Sequence, residues 1–129
     1  MTGPIRPQYH FRKDGGRTLI WDVRAMIARV EAANLPIIDV ALSDIPEIDE
    51  PYWFNTPPNC RAILEHAQLI EAADLAYPIL LFPDGKLFDG MHRVLKAVGL
   101  GHDTIKARRI TDLPPPDHID KKPDELPYE

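Results

Sequence analysis

Apolar positions along this chain change their spacing several times, and each change predicts an element. Near the start, Tyr9-His10-Phe11-Arg12 and Leu19-Ile20-Trp21 flank Asp14-Gly15-Gly16, which predicts two paired strands joined by a tight turn. Asp22 then stands where an N-cap acceptor is needed, and Val23, Met26, Ile27 and Val30 recur at helical spacing up to about Asn34, before Pro36. Ile37 to Leu42 is a largely apolar run with β-branched members and predicts a strand. A longer helix opens at Thr56 or Asn59, buries Ile63, Ala67 and Ile70, and ends near Leu75. Tyr77 to Phe82 predicts a buried strand, turned by Pro83-Asp84-Gly85 into Lys86-Leu87-Phe88. A helix from about Gly90 to Gly99 and a last strand over Thr104 to Ile110 complete the alternation. The pattern predicts an α/β (α+β) fold in which a small mixed sheet is packed by helices.

Composition narrows this picture. With 129 residues, 44% of them hydrophobic, the chain fits one domain with one modest core. Within it we distinguish an N-terminal hairpin and helix extension (1–35), a core (36–110) and an acidic, proline-rich tail (111–129). The tail carries Asp112, Asp117, Asp120, Asp124, Glu125 and Glu129 against Lys121 and Lys122, and is expected to be extended on the surface or disordered. A net charge of -5 and the absence of any Lys/Arg run disfavour nucleic acid as a partner of the isolated chain. The single cysteine, Cys60, excludes a disulfide framework and fits a reducing compartment. Met1-Thr2-Gly3-Pro4 starts no signal-peptide pattern, and no apolar stretch approaches the ~20 residues that span a bilayer, so the expectation is a cytoplasmic protein without a membrane partner.

Chemistry concentrates in Asp89-Gly90-Met91-His92-Arg93, which leads into the periodic run Val94, Leu95, Ala97, Val98. The first N–H groups of a helix lack internal partners and lie at the positive end of its dipole, so this start is a prepared anion site. An adjacent His and Arg strengthen it for phosphate. His92 can donate to a phosphate or shuttle a proton. The plain alternative is an exposed first turn with an ordinary surface Arg. Asp89 either caps the helix or helps to hold a metal on the phosphates.

The stretch from about Pro36 to Ile110 resembles the ParB/sulfiredoxin-like domain. The likeness rests on Pro78-Ile79-Leu80-Leu81-Phe82-Pro83-Asp84-Gly85, on Asp89-Gly90-Met91-His92-Arg93-Val94-Leu95-Lys96-Ala97 and on Gly101-His102-Asp103-Thr104-Ile105-Lys106-Ala107, in that order. The resemblance implies a phosphate cradle in which the Gly90 backbone and the Met91 and His92 amides approach phosphate oxygens and Arg93 offers a planar fork. It implies a nucleotide (ATP, ADP or CTP) or a phosphorylated small molecule as ligand, with Mg2+ conditional on a kinase or nucleotidase activity. In the free serine kinase branch a glutamate after the first core strand is the base, and Glu47, among Asp44, Asp49 and Glu50, is the match by position. A solvated acidic loop explains the same residues. The catalytic candidates are thus Glu47, His92 and Asp89; the alternative is a noncatalytic module that recognises a nucleotide or phospholigand for a protein partner.

Sulfiredoxin chemistry needs a thiolate directly before the His-Arg pair, where this chain has Met91, and Cys60 is expected to pack as a small apolar residue. A partition-protein role lacks the segments that follow the domain in those proteins. Of the remaining residues, His66 reads as a packing or surface histidine, and with His10, His92, His102 and His118 it forms no metal-ligand spacing. Tyr52-Trp53-Phe54 reads either as an aromatic platform or as a plug folding the acidic loop onto the core.

Overall fold

A computed structural model describes residues 9–54 and 56–127. In chain order the elements are β1 (Tyr9–Asp14), β2 (Arg17–Asp22), α1 (Val23–Ala33), β3 (Ile38–Ala41), α2 (Cys60–Ala72), β4 (Ile79–Leu81), β5 (Leu87–Asp89), α3 (Met91–Gly99), β6 (Thr104–Arg109) and β7 (His118–Ile119). Short 3-10 turns cover Leu42–Asp44, Pro46–Asp49 and Pro123–Glu125. Among the described residues, three α-helices and two small sheets make this an α+β protein. The chain divides into two compact units, one formed by the residues up to Asn34 with those from Asp112 onward, the other by Leu35–Thr111.

In the first unit β1, β2 and β7 form an antiparallel sheet, with Phe11 opposite Ile20 and Ile20 opposite His118. Asp22 ends β2 and caps α1, its carboxylate accepting from the Ala25 amide at 3.2 Å. Val23, Met26 and Val30 form the buried stripe of α1, and Asn34 closes the helix in the left-handed region at φ 52°. Of the two expectations for the tail, the structure shows the extended surface segment, tied down by side-chain bonds. Asp117 accepts from the Asp22 amide at 2.8 Å and Asp120 from the Thr18 amide at 2.7 Å, while the Trp21 indole N–H donates to the Pro114 carbonyl at 2.9 Å. The acidic side chains thus satisfy amides along the edge of β2 that water would otherwise have to serve.

The second unit is built on a mixed four-stranded sheet in the order β3-β6-β4-β5. β3 runs antiparallel to β6, with Val40 opposite Ile105. β4 runs parallel to β6, with Ile79 opposite Ala107, and antiparallel to β5. β6 alternates, burying Ile105 and Ala107 and exposing Lys106, whereas β4 is buried at all three positions. Met91, Val94 and Ala97 of α3, at i, i+3 and i+6, join Ile79, Leu81, Leu87, Ile105 and Ala107 in one core. Each large side chain buried there contributes roughly 1.5–3 kcal/mol of transfer free energy.

α2 starts at Asn59, which accepts from the Ala62 amide at 2.8 Å. Its far end is pinned by Lys96 of α3, whose ammonium donates to the Glu71 and Ala73 carbonyls, both at 2.7 Å. α2 turns inward a face that shares Ile70 with the one its sequence predicts but is otherwise rotated. Ala62, His66, Ile70 and Ala73 are half-buried, whereas Ile63 and Ala67 are exposed, as are Leu64 and Leu69. Cys60 is also exposed, at the first residue of the helix, and fills no core position.

Candidate functional site

Three segments meet at the start of α3: the β5–α3 junction, the segment over residues 46–54, and α2. At the junction Gly90 has φ +120°, and a Cβ placed on it would lie 2.6 Å from Ile79 Cγ2. Only glycine lets the backbone pass this close to β4 in that conformation. The first intrahelical bond runs from the Val94 amide to the Gly90 carbonyl at 2.9 Å, and no side chain caps the helix. The Met91, His92 and Arg93 amides therefore lie ahead of the ladder, at the positive end of the helix.

The side chains around these amides are already engaged. Arg93 donates through Nη1 to the Tyr77 and Pro78 carbonyls at 3.1 and 2.9 Å, and through Nη2 to Asp89 Oδ2 at 2.9 Å. The guanidinium thus ties the segment before β4 to the first turn of α3, using the planar fork that the sequence reading assigned to phosphate. Asp89 does not cap the helix, because its carboxylate turns back onto Arg93, four residues ahead. Among the described residues no group of three or more His, Cys, Asp or Glu side chains stands where it could hold a metal ion.

His92 reaches α2 instead, its Nε2 lying 2.9 Å from His66 Nδ1. The Trp53 indole is stacked on both imidazoles, 4.1 Å from His66 and 4.4 Å from His92 at 23° and 22° between planes. Phe54 meets His66 edge-on at 5.2 Å. Burial, then His66 and then the Arg93 charge push the His92 imidazole down to about 4, so this ring is neutral at pH 7.

The acidic segment sorts into one buried and three exposed carboxylates. Asp44, Asp49 and Glu50 face solvent, while Glu47 is 8% exposed and accepts from the Leu87 amide at 2.7 Å through Oε2. Its Oε1 is buried without a hydrogen-bond partner. Tyr52 and Trp53 pack against the core of the unit, and the Tyr52 hydroxyl is pushed up to about 12 by burial first, then by the charges of Asp89 and Glu47. Those two carboxylates are therefore close enough to act on the same phenol.

The sequence-derived candidates Asp89, Gly90, Met91, His92 and Arg93 thus share the β5–α3 junction, with Met91 buried in the core rather than facing the junction. Glu47 comes to the adjacent strand β5. His66 and Trp53 were not expected beside His92. Their traces in one dimension are the aromatic run Tyr52-Trp53-Phe54 after the acidic segment and the place of His66 on the helix face shared by Ala62, Ile70 and Ala73. An open groove of about 550 Å3 at the opposite, hairpin end of β4 and β5 includes Asp39, Asp44, Asp84, Lys86 and Arg109. All five side chains are exposed, and the groove holds none of the buried or shifted groups found at the start of α3. No protein-family model matches the chain, and neither a curated protein nor a solved structure is detectably similar to it.

Proposed function

We propose that this chain binds a nucleotide or a phosphorylated small molecule through the start of α3. The observation that carries this reading is the first turn started at Gly90, in which the Met91, His92 and Arg93 amides precede the intrahelical ladder and no side chain among the described residues caps them. The resemblance to ParB/sulfiredoxin-like domains adds to it, since that family places phosphate at the same sequence position. Glu47 supports phosphoryl transfer or nucleotide hydrolysis as the reaction. A buried carboxylate with one oxygen anchored on the Leu87 amide and the other unpartnered is suited to take a proton from an attacking hydroxyl or water. Magnesium enters this reading only as a companion of the phosphate oxygens, because the protein gathers no metal-binding trio among the described residues.

A second reading, a noncatalytic module that recognises a nucleotide or phospholigand, is favoured by the closure of Arg93 on Asp89, which engages the guanidinium and one oxygen of the carboxylate within the protein. Thermal unfolding of the full chain with ATP, ADP, CTP, GTP and inorganic phosphate, with and without magnesium, tests the shared claim. Ligand at 100 times its Kd stabilises by about 2.7 kcal/mol, and the Met91, His92 and Arg93 amide resonances shift with it. No stabilisation and unmoved amides at millimolar ligand overturn both readings. Binding without hydrolysis or transfer overturns the enzyme alone.

A further inference from the structure

The hydrogen bond between His66 Nδ1 and His92 Nε2 places a restriction on protons that neither ring would have alone. One nitrogen must donate and the other accept. The contact survives with both rings neutral, and it survives with one extra proton, as imidazolium to imidazole. With two extra protons the facing nitrogens both carry hydrogens and the contact breaks. The pair can therefore hold one additional proton between its members and not two.

What surrounds the rings decides where that proton resides. From α3 come the Arg93 guanidinium and the positive helix start, both opposing charge on His92; Asp89, at the end of β5, offsets Arg93. From the segment over residues 46–54 come Glu47 and Tyr52, whose hydroxyl is un-ionised, and the Trp53 indole, whose face favours a cation beneath it. From α2 the neighbour of His66 is the exposed Glu65, and Lys96 is tied to the C-terminal carbonyls of that helix. In the free protein His92 is the ring that resists charge. A bound oxyanion reverses the sign of the field at His92 and leaves that at His66, farther from the helix start, less changed.

We propose that His66 and His92 form a single proton-holding unit, covered by Trp53, whose one proton is drawn onto His92 when an oxyanion occupies the start of α3. His66 is then a positioning residue, the hydrogen-bond partner of a neutral His92 in the free protein and the acceptor from His92 in the bound one. The proposal rests on the anion reading of α3 and adds to it a proton linkage and a second histidine.

Long-range 15N spectra of the imidazoles in the full chain, from pH 8 to 4, test it with sulfate as the probe, because sulfate keeps its charge over this range. Without sulfate, His92 is the neutral member of the hydrogen-bonded pair until the pH approaches 4. With saturating sulfate, His92 becomes the imidazolium and His66 the neutral acceptor. Sulfate affinity falls by up to about tenfold per pH unit between the free-state and bound-state midpoints and levels off above the latter, as a single linked proton requires. His92→Phe removes that dependence, and His66→Phe moves it to lower pH because His92 loses its acceptor. Independent titration of both rings above pH 5 overturns the proton unit. So does a sulfate shift of the Met91–Arg93 amides with His92 unmoved, whereas no amide shift at all overturns the anion reading and the ligand-driven part of the proposal with it.

Discussion

Replacing Gly90 by alanine attacks the β5–α3 junction at its tightest point, and its cost can be worked from the geometry. Two effects act together. At φ +120° a side chain is strained by roughly 1–3 kcal/mol, since L-residues avoid this region of the backbone map. The new Cβ would also lie 2.6 Å from Ile79 Cγ2 and 3.0 Å from Ile79 Cβ. Ile79 is fully buried on the central parallel pair of strands, so it cannot swing away, and forced overpacking of this kind costs roughly 1–3 kcal/mol more. The sum of about 2–6 kcal/mol is a large part of a typical domain stability of about 5–15 kcal/mol. Gly85→Ala separates the two contributions, because Gly85 has φ +89° while the nearest atom to its Cβ position is Arg109 Nη2 at 3.8 Å, an ordinary contact. Urea unfolding followed by circular dichroism should show Gly90→Ala losing at least about 1 kcal/mol more than Gly85→Ala. Equal losses would refute the close approach of Gly90 to β4, and with it our account of how the α3 amides are positioned.

Three further outcomes follow from the same site. His92 is carried neutral into the fold with its midpoint lowered from 6.5 to about 4, so the unfolded chain binds this proton more readily. Stability from this group is complete above about pH 6.5 and is lost as pH falls toward 4; the full gap is worth about 3 kcal/mol, and solvent screening of the partly exposed ring leaves about 1–2 kcal/mol, which His92→Phe should remove from the pH dependence of urea unfolding. Arg93→Lys replaces a fork by a single ammonium that cannot serve the Tyr77 and Pro78 carbonyls and Asp89 at once; we expect a loss of about 1–3 kcal/mol in the same assay, and a change below 0.5 kcal/mol (about the noise of surface substitutions) would refute the clamp. Glu47→Gln keeps an acceptor for the Leu87 amide and should stay within about 1 kcal/mol of the parent, whereas Glu47→Ala orphans that amide at a cost of about 1–3 kcal/mol. If turnover is found, Glu47→Gln should lower it by about 100-fold or more, and full activity in that variant would remove Glu47 as the base.

Features whose causes lie within a few residues were readable in one dimension. Asp22 before a helical apolar stripe, the glycines between β1 and β2, and the turn over Pro83-Asp84-Gly85 each act through neighbouring backbone, so α1, the hairpins and the approach to α3 follow from sequence. The helix start at Gly90 belongs here as well, since Gly90 and the amides after it are consecutive, but that Asp89 leaves it uncapped was decided by its pairing with Arg93. The inward face of α2 does not. Apolar residues occur all round that helix, and it is its packing against α3 that turns Ala62 and His66 inward beside the expected Ile70, in place of Ile63 and Ala67. The tail's course along the surface was one of the two expectations, but its attachment was not: carboxylates that look solvating in a row become acceptors once β2 presents amides to Asp117 and Asp120.

The same division holds at the site. Sequence alone determined an α+β chain with a glycine-started helix carrying His92 and Arg93, because those depend on local period and local backbone freedom. Which charges are spent and which are left over was decided by tertiary structure. Arg93 closes on Asp89 and on two carbonyls before β4, Glu47 is the one acid of its segment drawn inside, and His66 meets His92 across 26 residues under Trp53. Hydrogen bonds and stacking act at a few ångströms, and only the folded chain brings groups so distant in sequence within that reach.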